Sequence, residues 1–254
     1  MSIQVKEYPC HSVRSQPALD GFVKGKGWDD LPWTDTFVDI TGLPDKKPRF
    51  ATKAKLGWDN RYLYVGAVME EPHVWATITK KNSKIFVDND FEIFIDPDDD
   101  GLAYYEFEIN ALGTIWELSL PKPYMDGGEP ISGCNIDGLI SAVGINGTLN
   151  DPRDRDEGWS VTVAIPWSGL KPYHKDRAVP PTINDIWRMN FSRVQWEHKV
   201  VQNCYVRVPA HDPASVESLN PEEQLHPEEN WVWSPQGEIN MHIPERWGRV
   251  RFVD

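Results

Sequence analysis

Apolar and polar residues alternate with a period of two along most of this chain, the spacing of strands whose successive side chains point to opposite faces. Lys53 to Trp58 alternates, Asp59-Asn60-Arg61 reads as a turn, and Tyr62 to Val68 resumes the alternation, which predicts a hairpin. Phe91, Ile93 and Ile95 alternate with Glu92 and Phe94; after an acidic turn, Tyr105, Phe107 and Ile109 alternate with Tyr104, Glu106 and Glu108. Further strands are predicted over Thr114–Leu120 (behind a turn at Gly113), Gly138–Ile145, Trp159–Ile165, Ile186–Gln195, Val200–Val208 and Arg249–Val253. Helical signals are short: one turn at Ser168-Gly169-Leu170 after Pro166, and Asp-Pro and Asn-Pro starts at Asp212 and Asn220. So many strands with so little helix predict an all-β, single-domain β-sandwich of immunoglobulin-like or jelly-roll type with short helical turns, spanning residues 1–254 with residues 1–16 as an N-terminal extension.

The acidic turn carries candidate chemistry. Asp96, Asp98 and Asp100 ahead of Gly101 match the first half of an EF-hand loop, but its twelfth position is Phe107 where a bidentate Glu is needed, and strands rather than helices flank it. Two readings stay open: a structural calcium site built by Asp96, Asp98 and Asp100, or a solvated turn shaped by its Pro and Gly.

The strands beside that turn fix a second feature. If residue 95 pairs with 105, Glu92 lies opposite Glu108, and like charges directly opposite destabilise a sheet. An arginine from a neighbouring strand, a cation or ligand hydroxyls must offset them; a face of carboxylates with aromatic residues suits a sugar, whose hydroxyls are bound by charged acceptors and whose C–H face is covered by a ring. The alternative is an ordinary solvated face. Glu106 and Glu108, roughly 6–7 Å apart on one strand face, also have the separation of an inverting glycosidase pair, so a glycoside hydrolase acting on O-glycosyl bonds, or a module of one, is an alternative. No H-E-x-x-H, G-x-S-x-G or phosphate-cradling glycine loop occurs.

Composition narrows the ligand. With 26 basic against 39 acidic residues the net charge is −13, and no basic cluster stands against it, which argues against nucleic acid or an anionic membrane as partner. The chain is rich in aromatics, 12 Trp, 8 Tyr and 9 Phe, suited to flat amphipathic ligands as well as to a core. Trp58, Trp159 and Trp167 sit on alternating runs and are expected in that core; Trp231 and Trp233, in a Pro-rich region, are the expected surface aromatics. Cys10, Cys134 and Cys204 are widely spaced, which speaks against zinc or a disulfide framework and leaves one bridge open if the protein is exported. Residues 1–30 lack the apolar run of a signal peptide, and no later run reaches membrane-span length. A cytoplasmic protein and an exported one whose signal has been removed are both compatible.

Several phrases in order resemble the family 9 carbohydrate-binding modules: Leu19-Asp20-Gly21, the run Leu56 to Val65, Asp90 to Asp96 (DFEIFID), Phe107-Glu108-Ile109-Asn110 with Gly113, Trp159 to Leu170, and the ending Pro244 to Phe252. The resemblance runs from about Pro17 to the C-terminus. It implies a β-sandwich that binds sugars, often at chain ends, commonly appended to plant-polysaccharide hydrolases and often carrying structural calcium. In the family a sugar ring is held between two aromatic side chains. One position corresponds to Phe86; at the other, Met241-His242 stands in place of Trp, with Trp231 and Trp233 the nearest tryptophans. The expected function is non-catalytic carbohydrate binding, the sugar resting on Phe86 and Trp233, with Glu92, Arg193 and His242 around it. Glu92 is the Glu of the DFEIFID phrase, and Arg193 ends the row Trp187, Met189, Phe191, Arg193, from which a cation could offset the carboxylates. A haem-binding electron-transfer domain is a further alternative, although Met241 and His242 are adjacent and cannot grip one iron from opposite faces.

Overall fold

The computed structural model describes residues 4–174, 178–208 and 228–254. The hairpins predicted from alternation are present: β3 (Thr52–Trp58) with β4 (Tyr62–Glu70), and β5 (Asp90–Asp96) with β6 (Tyr104–Asn110). The first is closed by Asp59, whose Oδ1 accepts the amides of Arg61 at 2.7 Å and Tyr62 at 2.8 Å, an Asx-type turn. Around these lie β1 (Glu7–Ser12), β2 (Val38–Asp39), β7 (Ile115–Leu120), β8 (Ile131–Ser132), β9 (Ile140–Asn146), β10 (Gly158–Pro166), β11 (Ile186–Gln195), β12 (Glu197–Val201), β13 (Cys204–Val208), β14 (Glu229–Val232) and β15 (Gly248–Val253). A single helical turn, Trp167–Leu170, follows Pro166 as predicted; the predicted helix starts at Asp212 and Asn220 lie outside the described residues.

One sheet runs in the order β8-β7-β6-β5-β11-β15-β1-β3-β4-β10-β9, with β14 joining β11 to β2. Its two halves meet where β1 pairs in parallel with both β15 and β3; the other pairings are antiparallel. The sheet curls on itself, because one apolar cluster gathers Leu56, Val65, Val161 and Val163 from one half with Phe91, Ile93, Phe107, Ile109, Met189 and Phe191 from the other. This is the predicted all-β sandwich. Each such side chain contributes about 1.5–3 kcal/mol by leaving water. The structure also settles the thiols: Cys10, Cys134 and Cys204 are unpaired.

Two expectations are corrected. The run Val200–Val208 is not one strand: β12 and β13 form a separate hairpin, folded at Gln202 and Asn203, whose φ of 50° and 61° are those of a two-residue turn that twists with its strands. Trp231 and Trp233 are not surface aromatics. Both are 1 % exposed in the main core, where the expected Trp159 and Trp167 are also buried, while Trp58 packs against its edge.

Candidate functional site

The outer face of β5 and β6 is where unusual chemistry collects. The register is the one alternation predicts: Ile95 pairs with Tyr105, which sets Glu92 opposite Glu108 and Asp90 opposite Asn110. Glu106 follows on the same face. This face is not solvated. Asp90, Glu92, Glu106 and Glu108 are all buried, under a second apolar layer that includes Ile40, Phe94, Leu118, Val232, Met241 and Trp247. Burial pushes Glu92 up to about 7. It drives Asp90, Glu106 and Glu108 well above the usual carboxylate range, and the charge of Glu92 adds to the upward push on all three.

Aromatic groups flank the row at both ends. At the Glu108 end the Phe86 amide donates to Glu108 Oε2 at 3.1 Å. The Phe86 ring lies 6.3 Å from that of Trp116, tilted by 30°, and Trp116 sits directly across from Glu108 on β7. At the other end, the Tyr104 hydroxyl and His242 Nδ1 are hydrogen-bonded at 2.9 Å, and Tyr124 meets the His242 ring edge-on with centroids 4.5 Å apart. Tyr124 is 42 % exposed. Burial raises its hydroxyl pKa first, and the nearby charges of Glu106 and Glu108 raise it further. Burial also lowers His242 to about 3, so its ring is neutral.

Of the residues expected at a sugar site, the structure brings together Phe86, Glu92 and His242. Two go elsewhere. Trp233 packs inward against Tyr8 and Phe191, with centroids 6.3 and 5.8 Å away. Arg193 pairs with Phe91, while Ser192 is the residue beside Glu92; the parity that aligns Arg193 with Trp187, Met189 and Phe191 puts it on the inner face, away from the carboxylates. There it is fully buried, ion-paired to Glu71 at 3.0 Å, bonded to Thr52, Gln195 and the Glu70 carbonyl, and stacked 4.9 Å from the Trp231 ring. Sequence reasoning missed Tyr124 and Trp116 as flanking rings, and Asp90 as a member of the row. Trp116 was recoverable from the alternation of β7; Tyr124 sits in a Pro-bounded turn with no periodic signal.

The acidic loop is built as a cluster. Asp96, Asp98 and Asp100 each offer an oxygen within 4.8 Å of the others. Asp96 is fully buried; its Oδ2 accepts the Gly101 amide at 2.9 Å, and its Oδ1 has no partner. Burial pushes Asp96 up to about 7, with Asp98 and Asp100 adding to the shift. The turn itself is pinned by the ion pair of Arg188 with Asp99 and by positive φ at Asp99 and Gly101. A cleft of about 270 Å³ lies elsewhere, lined by Lys53, Glu70, Asn146 and Trp159. Trp159 turns into the core there and offers no ring face, so the acid row with its four flanking rings is the stronger candidate.

Residues 19–121 match the family model described as carbohydrate family 9 binding domain-like. The chain carries a family 9 binding-domain-like segment. That segment contains Phe86, the four buried carboxylates, Trp116 and the acidic loop; Tyr124 and His242 lie beyond its end. Endo-1,4-beta-xylanase A of Thermotoga maritima is 26% identical over 161 residues, which cover 61% of this chain and 12% of the xylanase. The chain thus spans about an eighth of the length of that curated relative. Among solved structures, a candidate carbohydrate-binding protein from Bacteroides uniformis matches with a TM-score of 0.66 at 16% identity, over 98% of this chain and 100% of that one. A family 9 module from Caldicellulosiruptor kristjanssonii in complex with cellotriose matches with a TM-score of 0.55 at 16% identity, over 98% and 94% of the two chains. A family 9 module of the same organism in complex with glucose gives 0.55 at 16%, over 97% and 95%. These likenesses establish that the β-sandwich around the family 9-like segment is shared over nearly the whole chain.

Proposed function

We propose that this protein binds carbohydrate and does not cleave it, holding a sugar between the Phe86–Trp116 and Tyr124–His242 pairs, above Glu92, Glu106 and Glu108. The observation that carries this reading is the row of carboxyl groups, on a family 9-like segment, with aromatic rings at both ends. Carboxyl groups bind hydroxyls in either protonation state, and rings cover the C–H faces of the sugar. Glu92 and Glu106 are 5% and 4% exposed, against 0% and 1% for Asp90 and Glu108, which makes them the carboxyl groups of the row nearest to solvent. The ligand class we propose is β-linked glucose or xylose, since the relatives are a xylanase and modules solved with cellotriose or glucose. We further propose that Asp96, Asp98 and Asp100 bind calcium and brace the β5–β6 turn.

The hydrolase alternative requires one carboxyl group held protonated and its partner held ionised. Burial and the charge of Glu92 push both Glu106 and Glu108 upward. Their mutual hydrogen bond lowers Glu106 and raises Glu108, yet both stay well above the usual carboxylate range, so neither is held as the ionised partner. Titration with glucose and cellotriose is expected to show saturable binding of modest affinity, because a small sugar offers few apolar atoms against the cost of immobilisation. Xylan and cellulose incubated with the protein are expected to release no reducing ends. Turnover that disappears in Glu106→Gln would overturn the reading.

A further inference from the structure

The buried row lacks a basic partner among the described residues. Among the described residues, no Lys or Arg forms an ion pair with Asp90, Glu92, Glu106 or Glu108. Arg193, the cation on the adjacent strand, is on the opposite face and committed to Glu71. Buried charges persist only when paired or when they coordinate metals. Asp90 and Glu92 are at least nine-tenths buried, yet Asp90 Oδ2 and Glu92 Oε2 have no hydrogen-bond partner.

The geometry supplies the counterpart. Asp90, Glu92 and Glu108 each offer one oxygen, and the three oxygens all lie within 4.8 Å of one another. Oxygens bound to one calcium ion at about 2.3–2.6 Å can be no more than about 5 Å apart, so the carboxylates already stand within one coordination sphere. Two are anchored by main-chain amides, from Val194 to Asp90 Oδ1 at 3.2 Å and from Phe86 to Glu108 Oε2 at 3.1 Å. The donors are all carboxylate oxygens, without His or Cys, which selects a hard cation over zinc or copper.

We propose that Asp90, Glu92 and Glu108 form a binding site for a calcium-class divalent cation, separate from the Asp96–Asp100 loop. The cation supplies the positive charge that lets this row stay ionised inside the protein, and it ties β5 to β6 beneath the Phe86–Trp116 pair. The site shares Glu92 and Glu108 with the sugar reading but does not depend on it, because cation binding is measured with no sugar present.

The test strips the full chain with EDTA and titrates it with CaCl2 by calorimetry, with melting followed in parallel. Wild type is compared with Asp90→Asn, Glu108→Gln and the loop variant Asp98→Asn. A calcium isotherm that survives Asp98→Asn and weakens at least tenfold in Asp90→Asn and Glu108→Gln supports the site. Stripped Asp90→Asn should also melt no lower than stripped wild type, because a buried carboxylate whose Oδ2 has no partner has been replaced by a neutral amide that keeps the oxygen facing Val194. Absence of calcium binding by wild type, or an isotherm that Asp90→Asn and Glu108→Gln leave unchanged, overturns it. Should the variants not fold, anomalous scattering from wild-type crystals soaked in terbium decides: a peak between the three carboxylates supports the site, and a peak confined to the Asp96–Asp100 loop overturns it.

Discussion

His242 shows how one ring can be both a wall of the proposed site and a liability to the fold. Its environment lowers it to about 3, while in the unfolded chain it titrates near about 6.5. Because its folded value is depressed, the unfolded state takes up the proton first as the pH falls. The contribution of a neutral His242 is therefore complete above about 6.5 and is lost progressively as the pH falls toward about 3. The ring is partly exposed, so we expect a loss on the order of 1 kcal/mol by about pH 5, discounted for solvent screening. The check is urea denaturation of wild type and His242→Phe at neutral pH and near pH 5. The stability of wild type relative to the variant should fall by that amount on acidification, and a constant difference would show that His242 is not held neutral. Arg193 teaches the complementary lesson. Alternation along β11 correctly groups it with Trp187, Met189 and Phe191, but a group of alternating residues does not announce which side of the sheet it faces. Only the pairing of Phe91 with Arg193 reveals that this side is the core.

At the scale of elements, local patterns were legible wherever a strand buries its two faces against different surroundings. β3, β4, β5, β6 and β11 fall where alternation predicts them, and the Glu92–Glu108 pairing follows from period two and a single register assumption. The short strands β2 and β8 were not legible, because two residues cannot display a period. β12 and β13 were merged because Gln202-Asn203 is a weaker turn signal than Asn-Gly. Trp233 was misplaced because the Pro-rich composition around it suggests a loop, whereas Gly248 on β15 lets its ring close against the backbone. A Cβ at Gly248 would stand 2.2 Å from Trp233 Cζ3 and 2.5 Å from Cη2. Gly248→Ala is thus expected to destabilise the protein by about 2 kcal/mol, an overpacking cost in a core that cannot yield. Thermal or denaturant melting checks this, and an unchanged midpoint would mean that the Trp233 ring is free to move.

For the molecule as a whole, the curl of the sheet separates two jobs. The inner faces carry the apolar core, and the outer face of β5 and β6 carries the carboxyl row with rings at its ends. Composition had pointed to an uncharged, amphipathic ligand, and the resemblance had pointed to sugar. What neither conveyed was that the acidic face is buried, since burial depends on Val232, Met241 and Trp247, which come from distant parts of the chain. The account stands or falls on whether a sugar sits between those two aromatic pairs. Calorimetric titration of cellotriose into wild type, Phe86→Ala, Tyr124→Ala and Trp33→Ala tests it most directly, with Trp33, which packs with Lys53 and Lys55 on the other half of the sheet, as the control. The account predicts saturable binding that weakens about tenfold, roughly 1.4 kcal/mol, in Phe86→Ala and in Tyr124→Ala and is unchanged in Trp33→Ala. Binding that survives both site substitutions at wild-type affinity would contradict it.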